Sequence, residues 1–592
     1  MSVNKRIILL TVIAIAVIAA TVTAFFVFKK TDGSSSGAEA VSAEKSELAE
    51  KIESSVVNTD TSNVITLGDS IKISGSGATA ANGVVTINQG GTYEITGTLT
   101  DGYINVTAKD EVTLVLNNAN ITNGNGPCIY SDDAKTLTVY TKASSENTLS
   151  DGETYGDTDA KGAVFSNDDL VLDGEGKLTV NGNYKHAVAS DDEIVIKSGS
   201  YELTAAFDGI HANDNITLIS PVLNITASGD GIQSDLSSVT ISGGTLNIET
   251  AGGSANAPQK QNQDFGGGWQ SSDYDNQYTE TESDEPQSFK GIKAETAIEI
   301  SDGTIALDTY DDAVHSNNSI TITGGEFNIA AGDDAVHADV YLTVSGGGIN
   351  VSSCYEGLEG GTIEINDGTI NITASDDGIN AVENESSEED DKSDRQAFGG
   401  GMNEGGYGTL IINGGNITVD ASGDGLDSNG IIEITGGHTV VYGPENDGNG
   451  ALDYETSCSV SGGTLIAAGA GSMSQSTGDS SSQPGLMLYF NSYLSSGDSV
   501  VLKDSSGNEI ISFESAKTYN SIAVTAPEFS EGETVSVYLN GEKSGDIEIT
   551  SGIYYANVSE SGITETQGGS GMGAMGGNPG GGRGDMGGGR PF

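Results

Sequence analysis

The residues in this sequence with the most chemistry to offer are acids that recur at a fixed interval. Asp208, Asp230, Asp312, Asp334, Glu356, Asp377 and Asp424 each open a short Asp-Gly-Ile-like element, and Lys290 takes the acid's place once. The preceding residue doubles the charge at Asp311, Asp333 and Asp376. If the intervals stack, the acids become a ladder along one corner. Two unit charges ~4.8 Å apart repel by about 1 kcal/mol in water and ~3.5 kcal/mol at an effective dielectric of ~20. Such a ladder must either raise its own pKa values or hold cations. Calcium suits it, because Ca–O distances of ~2.3–2.6 Å let one ion bridge adjacent carboxylates, with turn carbonyls completing a shell of about six to eight oxygens. The plain alternative is turn chemistry, since Asp-Gly makes good hydrated turns. Turns account for one acid per corner but not for the doubled pairs.

A second column lies three residues further on: His211, Gln233, Lys293, His315, His337, Glu359, Asn380, Asp427 and, beyond them, Asp453. By strand alternation these face outward beside the acids. Phe207, Phe289 and Tyr355 add rings at the same corner. Acids, imidazoles and rings in one groove suit a sugar surface, where hydroxyls hydrogen-bond and rings cover apolar sugar faces. His211, Lys293, His315, His337, Tyr355 and Glu359 are the candidate sugar contacts, and a solvated rim is the plain alternative. An outward Asn ladder (Asn224, Asn247, Asn328, Asn350, Asn371) is a weaker candidate for a flat binding face. For catalysis, β-elimination from a uronate needs calcium to acidify the proton and a strong base to take it. Lys290 and Lys293 are the candidate bases, although a lysine pair near a loop end is ordinarily a solvated turn. No nucleophile, triad or phosphate-cradling motif stands out.

These residues need an element that returns to the same place every 22 residues. Six segments align, among them GDGIQSDLSSVTISGGTLNIET and DDAVHSNNSITITGGEFNIAA. Ile210 to Ile232, Val314 to Val336 and Val336 to Leu358 are each 22 residues, and Leu358 to Ile379 is 21. Within a unit the pattern has period two, with Ile320, Ile322, Phe327 and Ile329 inward and Thr321 and Asn328 outward. Gly324-Gly325 and Asp367-Gly368 mark corners between strands. One unit cannot bury its own apolar face, whereas stacked units bury a continuous column. The expectation is all-β: a parallel β-helix with one ~22-residue rung per repeat over residues 61–483. Inserts interrupt it at 251–289 and 383–407. A small antiparallel β-domain is expected at 484–560, where LMLYFNSYL, SVVLKD and TVSVYLNG alternate, followed by a glycine-rich tail at 561–592.

Ahead of the repeats, Ile7 to Phe28 is an uncharged apolar run flanked by Lys5-Arg6 and Lys29-Lys30. It is long enough to cross a bilayer core of ~30 Å. Residues 1–30 therefore read as a signal anchor, or as a signal peptide cleaved near Val22-Thr23-Ala24, and 31–60 as a flexible stalk. Either way the body is expected at the extracellular face of the plasma membrane, anchored by the N-terminal helix or secreted, and as a monomer. With 24 Lys+Arg against 85 Asp+Glu, the net charge of -61 all but excludes nucleic acid as a partner. The cysteines Cys128, Cys354 and Cys458 are too scattered for a disulfide framework and read as buried thiols.

The D-G-I-x-A/S…I-T-I-x-G-G-T-x-N-I-x-A unit, the YEGLEG stretch at 355–360, ENTLSDG at 146–152 and VNGNYKHAVAS at 180–190 together carry a resemblance. The sequence over about 60–470 resembles an exported carbohydrate-binding β-helix family of clostridial polysaccharide-degrading bacteria, similar in fold to the family 9 pectate lyases. The resemblance implies a right-handed β-helix, bound calcium, and binding of cellulose-type or acidic, pectin-like polysaccharide. It extends calcium ligation to Asp208, Asp230, Asp311, Asp312, Asp333, Asp334, Glu356, Asp376 and Asp377, and Asp424 continues the same column. Three functions remain open: a calcium-dependent carbohydrate-binding protein, which is preferred, a calcium-dependent polysaccharide lyase, and a surface adhesin or spacer with structural calcium.

Overall fold

Every repeat resolves into strands that meet their equivalents one repeat later. In a computed structural model, which describes residues 45–156, 158–258, 288–382 and 408–566, Ile210–Ala212, Ile216–Leu218 and Val222–Ala227 form one turn of the chain. The next turn lays Ile232–Ser234, Ser238–Ile241 and Thr245–Thr250 beside them in parallel, with Ile210 opposite Ile232, Ile216 opposite Val239 and Val222 opposite Thr245. The strands thus form three parallel columns, the first unbroken from Ile129–Ser131 to Leu452–Tyr454. The inserts do not disturb it, since Ile232 pairs with Ile292 across the first and Ile363 with Leu410 across the second. In two places the expected short strands merge: Val336–Cys354 and Leu358–Ala374 bend through the corners with register shifts instead of breaking.

Alternation puts Ile210, Ile232, Ile292, Val314, Val336, Leu358, Ile379 and Leu426 on the inside, all fully buried in one continuous core. Burial of each such side chain contributes about 1.5–3 kcal/mol. The glycine after the acid serves closeness. A Cβ at Gly378 would lie 2.1 Å from Val419 Cγ1 and 2.6 Å from the Gly425 carbonyl oxygen. At the opposite corner Gly325 has φ of +96°, a conformation glycine adopts without penalty.

Both ends are closed by other strands. Antiparallel hairpins, Val64–Leu67 with Lys72–Ser74 and Ala78–Ala81 with Val84–Ile87, cover the first turns. At the other end Thr464–Gly469 pairs antiparallel with Tyr519–Thr525, which in turn pairs with Gly485–Leu494. A separate four-stranded antiparallel sheet (Ser499–Lys503, Glu509–Glu514, Thr534–Leu539, Glu542–Glu548) completes this small domain. Its pairing is not wholly antiparallel, because Gly485–Leu494 and Ile553–Ser559 run parallel. The last strand, Gly562–Glu565, reaches into the segment expected as tail; the rest of the tail lies outside the described residues.

The stalk expected over 31–60 is corrected where it is described. Glu47–Ser54 is a helix whose Ser46 side chain caps the Ala49 N–H. Ala49 and Ile52 pack on Val171 and Val195, because the spacing of apolar residues in LAEKI gives the helix one apolar face. The apolar run 7–28 lies outside the described residues, as do 259–287 and 383–407 of the inserts. Among the described residues no helix is long and apolar enough to cross a membrane. The cysteines are free and buried.

Candidate functional site

The loop between the third and first columns holds the acid column, and the first column carries the residues three further on. Register makes both into ladders. His211 lies opposite Gln233, then follow Lys293, His315, His337, Glu359, Asn380, Asp427 and Asp453, each opposite the next. This is the order the 22-residue spacing predicts.

Each aspartate at the acid position has two duties, and Glu356, which accepts from Asn380 Nδ2, departs from the pattern. One carboxylate oxygen accepts the backbone N–H of the next acid position: Asp208 Oδ1 from Asp230 at 2.7 Å, Asp230 Oδ1 from Lys290 at 2.6 Å, Asp312 Oδ1 from Asp334 at 3.1 Å and Asp377 Oδ1 from Asp424 at 2.5 Å. The hydrogen bonds join neighbouring rungs at a corner where strand pairing stops. The second oxygen is left for other partners, and these divide the ladder into three stretches.

The first stretch is rich in imidazole. Val188 pairs with Ile210, so His186 occupies the place of Asp208 one rung earlier. Asp208 Oδ2 lies 3.2 Å from His186 Nδ1 and 2.9 Å from His211 Nδ1, and His211 Nε2 lies 3.2 Å from Asp235 Oδ2. His186, Asp208 and His211 are all buried. Their burial opposes the charged forms, but the paired imidazoles hold the Asp208 carboxyl well below the usual range, and Asp208 and Asp235 hold His211 up to about 9. His211 is therefore enclosed, with both ring nitrogens facing carboxylates, and presents no surface to a sugar. Asp208 is surrounded by nitrogen, not by the oxygens that calcium requires.

The middle stretch carries the lysines. Lys290 Nζ lies 2.6 Å from Asp312 Oδ2 and 3.1 Å from Asp311 Oδ2, and these carboxylates hold its ammonium well above the ordinary lysine range despite burial. A lysine bound in this way is a charge partner for the ladder and has no lone pair to accept a proton. Lys293 Nζ lies 3.7 Å from Asp230 Oδ2. Burial, followed by the charge of Asp208, raises Asp230 to about 7. His315 Nδ1 sits 2.9 Å from Asp312 Oδ2, and His337 Nδ1 lies within 3.3 Å of Asp334 Oδ2 and 3.4 Å of Glu359 Oε2. Carboxylate oxygens of Asp311, Asp312 and Asp333 lie within 4.8 Å of one another, an all-oxygen set that could take calcium if Lys290 gave way. Asp334, His337 and Glu359 form a second convergent set.

In the last stretch Glu356, Asp377, Asp424 and Asp427 have no cation beside them among the described residues. Burial, followed by the charge of neighbouring acids, raises Glu356 to about 8, Asp377 to about 6 and Asp424 to about 7. In the outward column the same causes raise Asp427 to about 8 and Glu359 to about 10. Tyr355 is half-buried here and hydrogen-bonds to Asp376. Carboxylates in this state gain from a divalent ion, although the oxygens that converge most closely are those of Asp311, Asp312 and Asp333 one stretch earlier. His315, His337 and Glu359, with side chains 12–14% exposed, stand in the adjoining column.

The sequence missed His186 and Asp235. His186 stands 22 residues before Asp208, in an element reading His-Ala-Val where the others read Asp-Gly-Ile. The spacing, without the residue type, could have found it. The Asn column is in register but interrupted by Ala306 between Asn247 and Asn328; Asn247 donates to Asn224 at 2.8 Å, and this part borders a shallow depression with Glu249 and Asp308.

A family model described as "Carbohydrate-binding domain-containing protein" matches residues 81–335. A protein of Acetivibrio thermocellus with the same description is 30% identical over 128 residues, which is 20% of this chain and 45% of that protein. The chain thus spans about half the length of this relative. A solved structure titled as a polysaccharide lyase-like protein from C. thermocellum, in a gadolinium derivative, aligns with 23% identity and a TM-score of 0.36, covering 48% of this chain and 97% of that one.

Proposed function

We propose that this chain is a cell-surface or secreted carbohydrate-binding protein in which calcium, held on the acid ladder, receives an acidic polysaccharide. The supporting matches are to proteins described as carbohydrate-binding, and the matched segment includes the ladder from Asp208 to Asp334. The observation that carries the calcium part is the last stretch, where buried acids have their pKa values raised and a column of Glu359, Asn380, Asp427 and Asp453 runs in register beside them. A bare groove of this charge repels a uronate chain, whereas a calcium ion bound to protein carboxylates still accepts a sugar carboxylate oxygen. In this reading the three columns are those of a right-handed parallel β-helix. His315, His337, Tyr355, Glu359 and Lys293 border the sugar. Binding is preferred to lyase chemistry because Lys290 is committed to Asp311 and Asp312.

The test is native electrophoresis of the protein through gels containing polygalacturonate, with calcium or with chelator, beside gels containing a neutral glucan. Retardation by polygalacturonate that needs calcium is expected. A folded protein that runs unhindered through polygalacturonate in both conditions would remove acidic sugar as the ligand and leave a neutral glucan or a spacer role.

A further inference from the structure

The imidazole-rich start of the ladder has a different donor chemistry from the rest. His186 Nδ1 and His211 Nδ1 approach one carboxylate oxygen, Asp208 Oδ2, at 3.2 and 2.9 Å, and all three atoms lie within 4.8 Å of one another. Four-coordinate zinc with bonds of ~2.0–2.1 Å sets its ligand atoms about 3.3 Å apart. His186 Nδ1 faces both the Asp208 backbone N–H, at 3.3 Å, and Asp208 Oδ2, at 3.2 Å, so an ion between the nitrogen and that oxygen would take the place of the proton they share. The far nitrogen of His211 lies 3.2 Å from Asp235 Oδ2, and Asp235 accepts from Gln233 Nε2 at 2.5 Å. A carboxylate behind a histidine in this way fixes the ring and strengthens it as a ligand. The rings of His186 and His211 are stacked at 4.2 Å and Phe207 packs edge-on against His186, so one imidazole must tilt out of the stack for both Nδ1 lone pairs to meet a single ion.

We propose that His186, Asp208 and His211 form a site for one divalent transition-metal ion of the zinc class, distinct from the oxygen-lined part of the ladder. Two nitrogens and one carboxylate suit zinc, copper or nickel and give calcium too few oxygens. The ion joins two successive rungs, His186 on one and Asp208 and His211 on the next, so its role is to hold the coil together. Asp235, whose side chain is 34% exposed, lies on the solvent side of the cluster and marks the way in. The similar trio Asp312, His315 and His337 is a poorer host, because the Lys290 ammonium already lies 2.6 Å from Asp312 Oδ2. This inference does not depend on the carbohydrate reading.

Cobalt(II) titration of the metal-stripped full-length protein, in excess calcium, tests it. One cobalt per chain is expected, with the intense visible absorption of a four-coordinate site, displaced by equimolar zinc. His186→Gln and His211→Gln should each weaken binding by about tenfold or more, while Glu542→Gln, exposed on the separate four-stranded sheet, leaves it unchanged. Should either histidine variant fail to fold, X-ray absorption on the zinc-loaded wild-type protein decides the matter: two imidazoles in the zinc shell are expected. A shell of oxygens alone, displacement of cobalt by millimolar calcium, or histidine variants that bind like wild type would each overturn the proposal.

Discussion

Lys290 sits where its neighbours in the column carry acids, and its ammonium supplies locally what a cation would supply elsewhere. Asp312 is almost fully buried, and its Oδ2 lies between Lys290 and His315. Removing one partner of a buried ion pair leaves an uncompensated charge and costs about 3–5 kcal/mol. Lys290→Met should therefore lose stability of that order in chelator, as read by denaturant unfolding. With the ammonium gone, Asp311, Asp312 and Asp333 keep their oxygens together, so calcium should restore more stability to the variant than it adds to wild type. Equal calcium effects on both proteins would show that the lysine does not stand in for an ion.

The corner element does structural work that its charge conceals. Asp377 Oδ1 accepts the Asp424 N–H at 2.5 Å, and Asp424 Oδ1 in turn accepts the Gly450 N–H at 2.5 Å. An unmet buried N–H costs about 1–3 kcal/mol. Asp377→Ala should thus lower stability by about that amount, whereas Asp377→Asn keeps the acceptor and removes the charge. In chelator the Asn variant should equal or exceed wild type, because a repelling acid is gone; with calcium it should gain less. Thermal unfolding of the three proteins under both conditions measures this. If Asn is as damaging as Ala in chelator, the hydrogen bond is not the element's contribution. The spacing made the position of each acid legible, but the split between its two oxygens was not, because that depends on which backbone N–H the turn presents one rung later.

At the scale of the whole molecule, the charge of -61 makes stability a function of pH and cations together. Glu356, Asp377, Asp424 and Asp427 have folded pKa values of about 8, 6, 7 and 8, all raised above those of an unfolded chain. Between roughly pH 4 and pH 8 the folded state binds more protons than the unfolded one, so stability falls as pH rises through that window. His211, raised to about 9, acts in the same direction from its ordinary value upward. Metal-free protein should accordingly melt lower at pH 8 than at pH 5. Calcium competes with those protons, so its stabilisation should be small at pH 5 and largest at pH 8. Calorimetry across that range checks the sign; a melting temperature that rises with pH in chelator would contradict the shifted acids.

The sequence by itself determined the rung length, the alternation that fills the core, and the register that lines up Asp208 to Asp424 and His211 to Asp453. It could do so because stacking repeats turns a linear interval into a lateral neighbour, with no further information needed. Only the tertiary structure decided what each ladder residue does. Burial and the reach of individual side chains set His186 and His211 on one oxygen of Asp208 and tied Lys290 to Asp311 and Asp312. They also left Glu356, Asp377 and Asp424 without a cation among the described residues. The helix at 47–54 was hidden for a related reason: its few apolar residues gain their meaning only from Val171 and Val195, which lie more than a hundred residues further along the chain.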